Sequence, residues 1–262
     1  MPTDLSRRPL TFLVAVTLLS LPLYLAGAFG EIRVGALRLP LSALMFVVPG
    51  TVAVVLTWRG GGRTAAWRLV RRVRDSPPAQ ARWYVTSVGL FVVVAALAYA
   101  FARAVGAAGS GLPVSPVAIP VLAVAFAIAS IGEELGWTAY ATDPLQDRIG
   151  TPAAGLILGF YWALWHLLPL TQVGHGVMWV AGWFAGTVAT RVIIVWLHNR
   201  GGGVGVAVLA HTTVNVTAAC TPDYDAAVIP LVAALPLAAI AAAVSSARRR
   251  DPAVAVAVSG VE

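Results

Sequence analysis

Lysine is absent: all eighteen basic side chains of this 262-residue sequence are arginine. With so much alanine and valine beside it, that absence points to a GC-rich bacterial coding sequence. Cysteine is nearly absent too. Cys220 stands alone, which excludes an internal disulfide and any multi-cysteine metal or redox motif. Charge is scarce, at 11% of residues against roughly 25% in soluble domains, and a soluble globular fold is excluded with it. Hydrophobic residues make up 59% and the mean hydropathy is +0.82, so the chain reads as an integral membrane protein. The net charge of +7 is no nucleic-acid signature, because the arginines gather between apolar runs. The glycine triplets at 60–62 and 201–203 lack the Lys-Ser/Thr pattern of a phosphate loop and read as turns.

Apolar runs of about 20 residues, the length that crosses a bilayer, occur near 10–30, 39–58, 83–105, 116–142, 152–170, 176–198, 203–219 and 226–247. They predict an all-α, polytopic membrane helix bundle of about eight transmembrane helices in a single domain, 1–262. The fourth run is overlong and continues as helix past the hydrocarbon. Arginine alternates between the connections. Arg7 and Arg8 precede the first run, and the basic connection 59–82 holds Arg59, Arg63, Arg68, Arg71, Arg72, Arg74 and Arg82. Arg148 follows the fourth run, Arg200 the sixth, and Arg248, Arg249 and Arg250 the eighth. The alternate connections carry only Arg33 and Arg38. Positive charge stays inside, which puts both termini in the cytoplasm and the chain in the bacterial inner membrane. Arg7-Arg8 and Ala26-Gly-Ala28 resemble a secretory signal, but the apolar stretch between them exceeds the usual core of about 7–15 residues, so an uncleaved helix is expected. Residues 63–75 are basic and partly amphipathic. They can lie on the anionic inner leaflet with Trp67, Leu69, Val70 and Val73 inserted, or act only as an orientation-setting loop. The tail 251–262 reads as mobile.

Two acids break the pattern. Glu133 and Glu134 follow directly on the run that starts at Pro120, where a carboxylate costs roughly 2.5–3.5 kcal/mol on insertion scales. Four residues apart on a helix means one face, so Glu133 pairs with Trp137 and Glu134 with Thr138, on faces rotated by about 100°. The two glutamates therefore have different work. Two of the four histidines are also embedded in apolar helix: His166, one turn after Trp162, and His211, one turn before Asn215. His175 and His198 fall at membrane edges, where interfacial or capping roles are expected. The polar turn Arg148-Ile-Gly-Thr151 lies midway between Glu133 and His166, which puts both at similar depth in a helical hairpin. His211 lies closer to its own turn and fits that depth less well. A desolvated Glu133 suits the task of taking a proton from water and returning it to a leaving amine, with His166 orienting the water. His211 and Asn215, on one face, are candidate donors to an oxyanion. Alternatively Glu133, His166 and His211 hold a catalytic zinc, although no His-Glu-x-x-His pair is present.

Glu133-Glu134-Leu-Gly-Trp137, Trp165-His166-Leu-Leu-Pro169 and His211-x-x-x-Asn215, in this order, resemble the CAAX protease and bacteriocin-processing family, also called the Abi or type II CAAX prenyl endopeptidase family. The resemblance covers roughly 120–218. It implies an eight-helix intramembrane endopeptidase in which the residue matching Glu133 activates water with that matching His166, while those matching His211 and Asn215 stabilise the oxyanion. Its substrate would be a membrane-associated or lipid-modified peptide, with membrane lipids as the other partner and no cofactor beyond the zinc alternative. This chain departs from the family pattern at three positions. Thr138 stands where the family's first motif has Arg, Ala139 where a Gly is common, and Trp162 where the second motif usually opens with Phe. Arg191, inside the sixth run, is the candidate to answer Glu134 from another helix, with snorkelling towards the cytoplasm as the alternative. Two other readings remain beside proteolysis: a non-catalytic bundle for immunity or partner binding, and other chemistry on a lipid or isoprenoid.

Overall fold

A chain with no water around it must satisfy its backbone internally, and an apolar run does so as a helix. The computed structural model describes residues 9–34, 37–74 and 81–247. Arg7, Arg8, Pro77, Pro78, Arg248, Arg249, Arg250 and the tail 251–262 lie outside the described residues. The helices are α1 (Pro9–Gly27), α2 (Val47–Arg71), α3 (Ala81–Ala104), α4 (Ala118–Gly136), α5 (Asp143–Ile149), α6 (Thr151–Val173), α7 (Val177–Leu197), α8 (Gly203–Cys220) and α9 (Val228–Ala247). Among the described residues, eight helical stretches are long and apolar enough to span a membrane. The protein is the polytopic all-α bundle that the hydropathy implied. The overlong fourth run resolves into α4, a widened π turn at Trp137–Thr142, and α5.

Two segments differ from the sequence reading. A hairpin of β1 (Glu31–Val34) and β2 (Leu37–Pro40) precedes the second span, with Glu31 opposite Pro40 and Ile32 opposite Leu39. The strands are too short for their alternation to stand out beside a hydrophobic run. The basic connection is also helical up to Arg71. It breaks at Gly62, whose φ of 71° is a conformation only glycine adopts freely, and then resumes. In the resumed helix Ala66 and Leu69 are buried in protein and Val73 packs against the same core. Leu69 and Val73 therefore insert into the bundle rather than the lipid, while Trp67 stays 61% exposed.

The connections sort to two ends, as the arginine alternation predicted. At one end Arg72 Nη2 lies 2.7 Å from Asp143 Oδ2, and His198 Nε2 lies 3.2 Å from Asp143 Oδ1. Gln146 and Asn199 exchange hydrogen bonds there at 2.8 and 3.2 Å, so the second, fourth and sixth connections meet. At the other end the Gly109 amide donates to Asp223 Oδ2 at 2.6 Å, and Trp179 Nε1 donates to the Tyr224 carbonyl at 2.8 Å. His175 lies flat on Trp179 with centroids 3.6 Å apart. Burial holds its pKa below the ordinary imidazole value, against the opposing pull of Asp225.

α4 lies between α2 and α8, while α6 and α9 flank α7. Its contact with α2 is backbone-close because Gly132 and Gly136, one turn apart, carry no side chain. A Cβ on Gly132 would meet the Phe46 carbonyl oxygen at 2.8 Å, and one on Gly136 would meet Pro49 Cβ at 2.5 Å. Small residues at such a spacing let membrane helices pack closely. Here they turn one side of the Gly-Glu-Glu-Leu-Gly stretch to α2 and leave both carboxylates to point elsewhere. Gly136→Val is expected to cost about 1–3 kcal/mol by overpacking, read as a lowered melting temperature in detergent. An unchanged melting curve would show that α2 and α4 separate freely.

Candidate functional site

Both glutamates are buried, Glu133 at 5% and Glu134 at 0% exposure. A buried carboxylate persists only with good partners, and the two find different ones. Arg191 answers Glu134 from α7, with Nη1 donating to Oε2 at 2.8 Å and Nη2 to Oε1 at 2.9 Å. This is the planar two-bond fork that makes arginine–carboxylate pairs strong. Thr138 Oγ1 donates to Oε2 from the π turn that continues α4, and His211 Nδ1 lies 2.9 Å from Oε1. Snorkelling is thus excluded for Arg191, which is 0% exposed. It reaches α4 because α6 lets α7 in: a Cβ on Gly159 would meet the Val188 carbonyl oxygen at 2.8 Å and Arg191 Cβ at 3.1 Å.

Glu133 is held by two indoles. Trp162 Nε1 donates to its Oε2 at 2.7 Å and Trp137 Nε1 to the same oxygen at 3.2 Å. Among the described residues the other oxygen, Oε1, accepts no hydrogen bond, and it is not one of the sealed, unpartnered atoms either. The helix-face expectation holds for both pairs, Glu133 with Trp137 and Glu134 with Thr138.

Trp162 is the hub. Its indole lies under the Arg191 guanidinium at 4.1 Å, a cation–π contact. It meets His211 edge-on at 4.9 Å and His166 at 5.6 Å between centroids. His166 Nδ1 lies 2.8 Å from the Trp162 carbonyl oxygen. A carbonyl only accepts, so Nδ1 carries the proton and Nε2 is left with a lone pair. The same logic applies to His211: an arginine-paired carboxylate only accepts, so Nδ1 is the donor, and Nε2 donates only in the imidazolium form. The two histidines, whose depths agreed poorly in sequence, meet across one tryptophan. Asn215 is half-buried one turn beyond His211, and its side chain makes no hydrogen bond among the described residues.

Sequence reasoning missed part of the wall. Trp183 of α7 lies 5.5 Å from His166 between centroids and Trp165 lies 4.8 Å from it; Trp165 is pinned by its own bond to Ser20 at 2.8 Å. The spacing of Trp179 and Trp183, one turn apart on α7, was the available signal. No three His, Cys, Asp or Glu side chains are grouped as metal ligands among the described residues.

Residues 115–217 match a family described as type II CAAX prenyl endopeptidase, Rce1-like. That stretch contains every site residue named above except Ser20. The CAAX prenyl protease 2 of Methanococcus maripaludis is 31% identical over 109 residues, which cover 37% of this chain and 39% of that protein. The match therefore spans well under half the length of that relative.

Proposed function

We propose that this chain, whose residues 115–217 match the type II CAAX prenyl endopeptidase Rce1-like family, is an intramembrane endopeptidase. Its substrate is a membrane-associated or lipid-modified peptide in a bacterial inner membrane, with both chain termini cytoplasmic. The observation that carries the reading is the unequal treatment of the Glu133 oxygens. Two indoles occupy Oε2 and leave Oε1 as the acceptor for a water proton.

A water between Glu133 Oε1 and the lone pair of His166 Nε2 attacks the scissile carbonyl carbon and passes its proton to Glu133. The carbonyl oxygen gains negative charge and takes hydrogen bonds from Asn215 Nδ2 and from the imidazolium form of His211. The carbon–nitrogen bond then breaks, and the proton on Glu133 moves to the leaving amine. Glu134 and Arg191 touch no reacting atom; they hold His211. The chemistry needs no metal. The case for a non-catalytic bundle, or for other chemistry on a lipid or isoprenoid, rested on Thr138, and Arg191 supplies the charge that Thr138 lacks.

The test is product formation by the purified protein against a panel of prenylated C-terminal peptides and leader-type peptides. Wild type is expected to cleave a member of the panel at a rate indifferent to chelators, and His166→Ala to be slower by roughly 10²-fold. A His166→Ala variant as fast as wild type refutes the water-activating assignment, and loss of activity with chelator that returns with zinc replaces it with a metal mechanism.

A further inference from the structure

We propose that the outward face of residues 63–74 binds anionic phospholipid headgroups, and that lipid held there clamps the segment that follows the site glutamates. The inward face of this helix is already spent on protein, through Ala66, Leu69 and Val73. At helical spacing Arg63, Trp67 and Arg71 share the opposite face, and Arg74 follows on the next turn. All four are exposed, as are Arg59 and Arg68. Between Glu31 and Glu133 the chain carries a single acid, Asp75, so the positive face has little compensation of its own. The helix follows directly on a spanning segment, which sets it at headgroup level, and Trp67 suits that interface. Anionic headgroups are the complement such a cationic, tryptophan-bearing face selects.

Arg72 makes this face more than a topology signal. One residue past Arg71, it turns inward, donating to the Ala139 carbonyl oxygen and to Asp143 Oδ2. Ala139 directly follows Thr138, whose hydroxyl holds Glu134. Headgroups that fix the outer face therefore also fix the π turn beneath the site.

The experiment compares the full chain in nanodiscs of phosphatidylcholine alone and with phosphatidylglycerol added. Wild type is expected to melt several degrees higher with phosphatidylglycerol and to carry bound phosphatidylglycerol in native mass spectra. Arg63→Gln/Arg71→Gln/Arg74→Gln is expected to keep its melting temperature in phosphatidylcholine. It should lose the gain, with occupancy down on the order of 10²-fold. Arg72→Gln should keep the bound lipid and lose the gain. A triple variant with the full gain, a wild type with none, or an equal gain from inorganic phosphate in phosphatidylcholine discs overturns the proposal.

Discussion

Arg191→Met is expected to destabilise the protein by about 3–5 kcal/mol, the usual consequence of removing one partner from a buried ion pair, and to remove activity with it. The size follows from what is left behind. Glu134 is 0% exposed and would keep only Thr138 and His211. It would then be driven to take a proton, and a neutral carboxyl would hold the His211 ring less firmly. Methionine fills much of the arginine stem, so the loss reports charge more than volume. The decisive variant is the double one. Thr138→Arg in the Arg191→Met background puts a guanidinium one helical turn from Glu134, where i to i+4 geometry lets it pair. It is expected to recover part of both the melting temperature and the turnover. Thr138→Arg alone should be harmful, because two guanidinium groups would compete for one carboxylate. If the double variant is no better than Arg191→Met, the two positions do not exchange one role.

Glu133→Gln is expected to leave the fold intact and reduce turnover by roughly 10²–10⁴-fold, the range for loss of a positioned general base. The amide oxygen of glutamine can still accept from both Trp162 and Trp137, so the indole clamp survives while the proton acceptor does not. This separates chemistry from architecture more cleanly than alanine, which would leave two buried indole donors unpaired. The measurement is single-turnover cleavage together with a melting curve. Wild-type turnover in Glu133→Gln would sink the base assignment, whereas a collapsed melting curve would mean that the charge itself is structural.

Much of this was legible in the sequence. Hydropathy gave the spans, arginine alternation gave which connections meet, and helical spacing gave Glu133 with Trp137 and Glu134 with Thr138. What could not be read were the contacts between helices far apart in sequence. Arg191 and Glu134 are 57 positions apart, and nothing local distinguishes a buried arginine from a snorkelling one. Trp162 likewise looked like a substituted phenylalanine, because a periodicity carries no information about an indole N–H. The β hairpin and the helical course of the basic connection were hidden for a simpler reason: both are short and lie beside much stronger hydrophobic signals.

The distance between Glu134 and its cation also orders the assembly of the protein. A ribosome that has just finished the π turn has not yet made α7, so of the described partners of Glu134 only Thr138 is in the chain so far. An arginine four residues along would have neutralised it on the spot. Moving the cation to α7 postpones neutralisation until α5, α6 and α7 have been synthesised, and ties the ordering of the site to assembly of the bundle.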